Sequence, residues 1–525
     1  MNLDIISFLT QISWWWYVLA IIVLIAIRDI FFNRHHTVSH NFPVLGHLRY
    51  LLEKIGPELR QYIVANNREE LPFNRSERSW IYASSKNENN YEGFGTDQDI
   101  HAPNYHFIKP DLFPFIMPHG HLNLKHRDFL PCAKIIGKYN NRRRPFRPSS
   151  VINVSAMSYG SLSSAAISSL NIGAKDAHCF HNTGEGGLSP YHQHGADVIF
   201  HFGTGYFGVR DMDGKFDMDK LVDLVTKNPF IRAIEIKLSQ GAKPGKGGVL
   251  PAAKISAEIA AIRGIPRNQD ALSPSFHSAF TGVDGLLNFI EEIAEKTGLP
   301  VGIKSAVGKM ELWELLATEI KVRGTGPDFI TIDGGEGGTG AAPPSFANHV
   351  SLPLFYAFSS VYKVFKDADL CDRIVWIASG KLGLPAQSAK AFAMGADLIN
   401  VAREAMMSIG CIQAQICHTN RCPSGIATQN RWLKNGLDVP LKSVRFAHYI
   451  KAFRKELLEL AMAAGYEHPC QFNMLDIEIS MGDSNFTKTL KDCFGYDKQQ
   501  VHFEGVNALA ECEYLGGNYG KIEQQ

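Results

Sequence analysis

Ile374-Val-Trp-Ile-Ala-Ser-Gly-Lys-Leu-Gly383 and, further on, Leu398-Ile-Asn-Val-Ala-Arg-Glu404 each pass from a short apolar run straight into polar and glycine residues. A run of that kind, bounded by Gly or Ser and followed by a helix-length interval, reads as a buried parallel strand and its crossover. Working outward, the same form recurs at Val151–Ala156, His178–His181, Val198–Phe202, Ala233–Ile236, Pro300–Ile303 and Phe329–Ile332, with helical intervals such as Ala252–Arg263 and Val283–Thr297 between. Eight strands with eight crossovers predict an α/β protein built on a (β/α)8 TIM barrel; a doubly wound open sheet is the alternative.

Polar residues fall at the C-terminal ends of these runs, where barrel active sites are assembled from loops. They are Met157-Ser-Tyr-Gly160, Asn182-Thr-Gly-Glu-Gly-Gly187, Lys237, Lys304, Asp333-Gly-Gly-Glu336, Ser379-Gly-Lys381 and Arg403. The last two strand ends combine backbone N–H groups, a helix start and the cations Lys381 and Arg403, which suits a cofactor phosphate; tight glycine turns are the plainer alternative. Lys304, ending the fifth strand, is expected in the barrel mouth, where a buried cation needs an anionic or electron-rich partner such as a flavin ring. Glycines crowd Thr331–Ala341, either for close approach to a flat ligand or as a mobile lid. Gln240-Gly-Ala-Lys-Pro-Gly-Lys-Gly-Gly248 lacks the Walker spacing; its cations either clamp carboxylates or are simply solvated. His178, His181, His192, His194 and His201 match no common metal spacing and read as core or site-lining residues.

Downstream, Cys411, Cys417 and Cys422 stand in the pattern C-x5-C-x4-C, closed by Pro423. Thiolates are soft ligands that suit iron and sulfide. Three of them point to a three-iron cluster, or to a zinc or four-iron site completed elsewhere, His418 being the nearest candidate; three unliganded core thiols are the remaining alternative.

The rest of the chain sets bounds. Its 525 residues carry 53 Lys plus Arg against 52 Asp plus Glu, so no general polyanion binding is implied and no nucleic-acid partner is expected. Nine cysteines are too dilute for a disulfide framework, and ligating thiols need a reducing compartment. Ile5–Ile27 is free of charge and contains Trp14, Trp15, Trp16 and Tyr17 as an aromatic belt, predicting a single transmembrane helix over residues 5–27, in preference to one lying in the interface. Arg28 and Arg34 follow that run and Asp4 precedes it, which places the catalytic domain in the cytoplasm. Residues 33–150 are expected to form an N-terminal cap domain, with an amphipathic helix over Tyr50–Val64 and Arg142-Arg-Arg-Pro145 as a solvated or linker turn. Residues 151–435 are expected to form the barrel with its sulfur loop 411–422, and 436–525 a short C-terminal helical extension.

Ala156-Met-Ser-Tyr-Gly-Ser-Leu-Ser163, Asn182–Gly187, Gln240-Gly-Ala-Lys-Pro-Gly245, Asp333–Ala341 and the three-cysteine loop together resemble, in order, the flavin-binding synthase domain of glutamate synthase. The chain is most similar to its stand-alone, membrane-anchored relatives. The resemblance implies FMN at the barrel mouth, held by Ala156, Met157, Ser158, Lys304, Asp333, Gly334, Gly335, Ser379, Gly380, Lys381, Ala402 and Arg403, and a [3Fe-4S] cluster on Cys411, Cys417 and Cys422. It also implies 2-oxoglutarate-binding residues at Glu185, Gln240, Lys243 and Arg263, which with Lys304 form the expected catalytic set. Val249 stands where the family pattern has Gln, removing a polar contact and bearing on which keto acid is used.

The expected activity is therefore that of a membrane-tethered FMN and iron–sulfur oxidoreductase. It exchanges a hydride with the α-carbon of a small-molecule 2-imino or amino acid, converting 2-oxoglutarate to glutamate or a close analogue. With no amidotransferase segment and no G-x-G-x-x-G after a strand, ammonia or an amine serves as nitrogen source, and electrons come from a donor protein or membrane quinone. A non-catalytic membrane-bound redox relay is the alternative from another class.

Overall fold

The computed structural model describes residues 13–32, 37–116, 129–482 and 486–501. Contacts divide the chain into two compact units, 1–78 and 79–525, so the division falls inside the region expected to form one cap domain.

In the first unit, Trp14–Phe31 is a helix exposed along nearly its whole length, with a mean hydropathy of 1.8. It is long and apolar enough to cross a membrane; residues 5–12 of the expected span, with Asp4 and Arg34, lie outside the described residues. Its one buried side chain is Asp29, whose carboxylate accepts from His47 Nε2 at 2.8 Å and from the Val44 N–H at 3.1 Å, so the charge is not left bare. The helix expected over Tyr50–Val64 starts earlier, at Leu45, and runs to Leu59 before a π turn at Arg60–Val64. Pro57 lies inside that helix and donates no N–H, which weakens the regular ladder where the turn widens.

The second unit contains a closed barrel of parallel strands, not the open sheet: β1 Ile152–Val154, β2 His181–Asn182, β3 Val198–Phe202, β4 Ile231–Lys237, β5 Val301–Ser305, β6 Phe329–Asp333, β7 Val375–Ser379 and β8 Leu398–Val401. Neighbours in space are neighbours in sequence, and β8 closes on β1. Crossovers are made by helices including α1 Ser164–Asp176, α2 Met218–Lys227, α3 Ala257–Arg263, α4 Gly282–Thr297, α5 Glu311–Arg323, α6 Leu354–Asp367 and α7 Pro385–Met394. Ser163, Asp217 and Ser256 cap the first three by accepting from backbone N–H groups of their first turns, each worth ~1 kcal/mol. The Ser256 cap starts a new helix, and for that reason the interval expected as one helix over Ala252–Arg263 is a single 3-10 turn at Ala252–Lys254 followed by α3.

Strand side chains such as Ile234, Ile303 and Ile377 are fully buried, each contributing ~1.5–3 kcal/mol through lost contact with water. The N-terminal end of the barrel is plugged by residues 129–150. Arg142, expected to be solvated, is turned inward: its guanidinium forks onto Glu291 at 2.6 and 2.7 Å and onto Asp328 at 2.9 and 3.0 Å. A planar donor fork between two carboxylates explains why it leaves water.

Helix α8, Val439–Ala463, packs along α1 and α7, with Tyr449 donating to the Gly383 carbonyl and Arg454 to that of Ala177. The C-terminal extension is not purely helical. Ile477–Ser480 pairs antiparallel with His106–Ile108 and with Thr487–Thr489, joining segments far apart in sequence into one small sheet.

Candidate active site

Register brings the chemistry together at the C-terminal ends of the strands. Lys237 of β4 pairs with Lys304 of β5, Asp333 of β6 with Ser379 of β7, and Ser379 with Asn400 of β8. The β2 end begins a sharp turn: Asn182 Oδ1 accepts from the Gly184 N–H at 3.0 Å, and Gly184, at φ +64, packs its backbone onto Ser158 N and Met157, leaving no room for a Cβ. That turn delivers Glu185 to Lys237 Nζ at 2.8 Å. Burial alone would raise the Glu185 pKa, but Lys237, His201 and Lys243 outweigh it and hold it at about 2.

Lys237 also donates to Gln240 Oε1 at 3.1 Å. Gln240 donates to the Gly338 carbonyl at 2.9 Å, and Lys243 to that of Ala341 at 3.1 Å. The two glycine-rich loops are thus knitted together, with the Gly241 N–H on Asp333 Oδ2 at 2.9 Å and its Cα so close to the Gly334 carbonyl that any side chain would overlap it. Arg263, at the end of α3, is 3% exposed and donates to the Tyr159 carbonyl at 3.0 Å and Ser158 Oγ at 3.3 Å, while its buried Nε has no partner. Burial lowers its pKa to about 10, partly offset by Glu185, so it stays cationic at neutral pH. Glu185, Gln240, Lys243 and Lys304 therefore gather at the mouth, and Arg263 lies within reach of the Glu185 charge.

Below this layer lies a polar group absent from the expected set. Glu235, fully buried in β4, accepts from His201 Nδ1 at 2.6 Å, Asn182 Nδ2 at 2.7 Å and Thr331 Oγ1 at 2.5 Å. Burial raises its pKa, but His201, Lys304 and Thr331 hold it below the usual carboxylate range. Asn182 thus ties Glu235 to the turn that carries Glu185. A signal was present: Glu235 and Lys237 sit two apart at the end of the strand, which puts both on one face.

The FMN that the resemblance implies fits the residues present at this mouth. Lys304 lies 3.6 Å from Asp333 Oδ1, Met157 and Ser158 are buried, and Gly380 and Lys381 both have positive φ in the turn after β7. Asn400 Oδ1, also on the rim, is a buried acceptor without a partner, so a donor from a bound group would complete it. Arg403, opening the short helix after Ala402, donates to the Glu336 carbonyl at 2.5 Å, while Gly334 and Gly335 line the facing loop. The position of Lys381 and Arg403 on adjacent strand ends matches an anionic group.

The sulfur loop docks beside the same face. Asn420 Nδ2 donates to the Ala253 carbonyl at 3.0 Å, Gln429 Nε2 to those of Leu162 at 2.8 Å and Gly160 at 3.2 Å, and the Ser163 N–H to that of Ile426 at 2.7 Å. Cys411 and Cys417 are half-buried, Cys422 is buried with its Sγ 3.4 Å from Ser424 Oγ, and His418 is exposed. Burial raises the Cys417 pKa, with Cys422 adding to this and Lys254 opposing it. Among the described residues no three His, Cys, Asp or Glu side chains surround a single ion. The donor set, three thiols and no carboxylate, suits iron and sulfide better than one hard cation.

Fold and site define a (β/α)8 barrel with buried cations at its mouth, Lys243 and Lys304 among them. Residues 121–467 match the conserved region in glutamate synthase, and this chain belongs to that family. It is 38% identical over 84% of its length, and 89% of the relative's, to the glutamate synthase large subunit-like protein YerD of Bacillus subtilis. It is 37% identical to the archaeal glutamate synthase [NADPH] of Methanocaldococcus jannaschii, over 60% of this chain and 59% of that one. Among solved structures, a mutant flavocytochrome b2 with pyruvate bound aligns at 12% identity with a TM-score of 0.42, over 88% of this chain and 93% of that one.

Proposed function

We propose that this chain is a membrane-tethered FMN and iron–sulfur oxidoreductase of the glutamate synthase family that interconverts a 2-oxo acid, with ammonia or an amine, and the corresponding amino acid, 2-oxoglutarate and glutamate or a close analogue. The observation that carries the reading is the gathering of Glu185, Lys237, Gln240, Lys243 and Lys304 at one barrel mouth, with Arg263 beside the loop after β1. Bound FMN, held by Lys304, Lys381, Arg403 and the backbone around Ala156–Ser158, Asp333–Gly335 and Ser379–Gly380, supplies hydride chemistry, and a cluster on Cys411, Cys417 and Cys422 supplies single electrons.

Arg263 and Lys243 bind the substrate carboxylates, the bidentate guanidinium setting orientation. Glu185, ionised and anchored on Lys237, orients the amino or imino nitrogen by accepting its N–H, and Gln240 closes the loop over it. Lys304 places a positive charge where negative charge develops in the mouth. Val249 lies on a short strand, Val249–Leu250, paired with Ala271–Leu272 and adds an apolar wall where an amide would discriminate the substrate's far end.

The tether reading rests on the exposed apolar helix Trp14–Phe31, with Arg28 near its end marking the cytoplasmic side and the barrel unit following it. Protease should reach the barrel in inside-out vesicles and not in right-side-out ones; the reverse result defeats this topology. For the chemistry, the anaerobically reduced protein is mixed with 2-oxoglutarate and ammonia, then with other 2-oxo acids. Flavin reoxidation by one of these pairs is expected, and its absence with all of them rejects the proposal.

A further inference from the structure

Lys254 ends the 3-10 turn after the Val249–Leu250 strand and is 3% exposed. Its Nζ donates to the Ser161 carbonyl at 3.0 Å, in the loop after β1, while the carbonyl of the preceding Ala253 accepts from Asn420 of the sulfur loop at 3.0 Å. The residue is therefore pinned between the sulfur loop and the barrel mouth. A buried ammonium needs an anion nearby. Among the described residues Lys254 forms no ion pair with a carboxylate, and the titratable side chains close enough to act on it are Cys417 and Cys422, which become anionic as metal-bound thiolates.

We propose that Lys254 is the counter-ion of a metal–thiolate cluster on this loop, stabilising its reduced form and so raising its reduction potential. The inference rests on the iron–sulfur reading above. Reduction adds one electron and no proton to the loop, taken from a one-electron carrier, so the site gains one negative charge that the ammonium opposes at short range. Two such electrons, with one proton, make up each hydride delivered at the mouth. Without the ammonium, the extra electron would be held in a buried site lacking compensation, and the potential would fall.

The test uses the full chain in three forms: wild type, Lys254→Gln, which keeps a donor for Ser161 but removes the charge, and Lys254→Arg, which keeps the charge. Iron and acid-labile sulfide are assayed, and the half-reduction potential is read by electron paramagnetic resonance during a mediated dithionite titration. The expected result is a lower potential in Lys254→Gln with Lys254→Arg close to wild type. Equal potentials in wild type and Lys254→Gln at equal iron content overturn the inference. If Lys254→Gln binds less iron, retention by Lys254→Arg supports the charge, and equal loss from both variants overturns it in favour of packing. A wild-type protein without iron or sulfide defeats the underlying reading instead, which is a distinguishable failure.

Discussion

The two ends of the barrel use charge in opposite ways. At the N-terminal end, Arg142 is matched donor for acceptor by Glu291 and Asp328, and Lys134 by Asp397 together with the Cys371 and Ile374 carbonyls. At the C-terminal end, the cations Lys237, Lys243, Arg263, Lys304, Lys381 and Arg403 outnumber the carboxylates Glu185, Asp333 and Glu336, and Lys243 donates to the Ala341 carbonyl. Saturated pairs hold a structure together; a surplus of cations at a barrel mouth suits an anionic ligand, as the proposed function requires. Function should therefore be separable from stability along the barrel axis.

The largest effect expected from breaking this contrast is at the saturated end. Arg142→Ala should destabilise the barrel by about 3–5 kcal/mol, the usual cost of removing one partner from a buried ion pair. Burial already pushes Asp328 up to about 6 with Arg142 opposing, so in the variant it protonates near neutral pH, which limits the loss. Urea unfolding measures the stability, and substrate-dependent flavin oxidation at low temperature should remain near wild type. Arg263→Lys reverses the pattern: about a 100-fold loss in kcat/KM, or about 2.7 kcal/mol of transition-state stabilisation, with an unchanged unfolding midpoint. Equal effects of both variants on both readouts would erase the distinction.

The same contrast governs what was legible in the sequence. The apolar runs announced the barrel strands, and Val198–Phe202 and Leu398–Val401 have the expected bounds, because a strand buried on both faces leaves an uninterrupted local signature; the second strand, expected over His178–His181, is the two-residue His181–Asn182, since His178 turns at positive φ. The mouth residues were legible because they follow those runs directly. Arg142 was not, since a basic cluster reads as solvated until Glu291 and Asp328 meet it from distant parts of the chain. Glu235 was hidden because its partners, His201, Asn182 and Thr331, come from three other strands. The sheet linking His106–Ile108 to Ile477–Ser480 has no local signature at all.

A smaller effect comes from pH. His468 Nδ1 accepts from the Cys470 N–H and its Nε2 donates to the Pro131 carbonyl, so both ring nitrogens are satisfied in the neutral form. Burial lowers its pKa to about 3. The unfolded chain takes up a proton near pH 6.5 that the folded chain refuses, so the stability this residue provides above pH 6.5 is lost progressively as pH falls toward 3. Between pH 6.5 and 5 the loss is roughly 1.5 kcal/mol. His468→Gln should flatten the dependence of the urea midpoint on pH in that window; an unchanged slope would mean that the imidazole is not held neutral.

The smallest expected effect sharpens the comparison at the functional end. Gln429 holds the sulfur loop to the loop after β1 through two carbonyls, Gly160 and Leu162, and it bonds to nothing in the barrel sheet. Gln429→Ala removes those bonds at about 1 kcal/mol, the usual net worth of such contacts. Because the barrel closes without them, that cost should appear as faster loss of iron to a chelator and not as a lower global unfolding midpoint. A fall in the midpoint with iron retention unchanged would instead make the sulfur loop part of the cooperative core, and the functional end as saturated as the other.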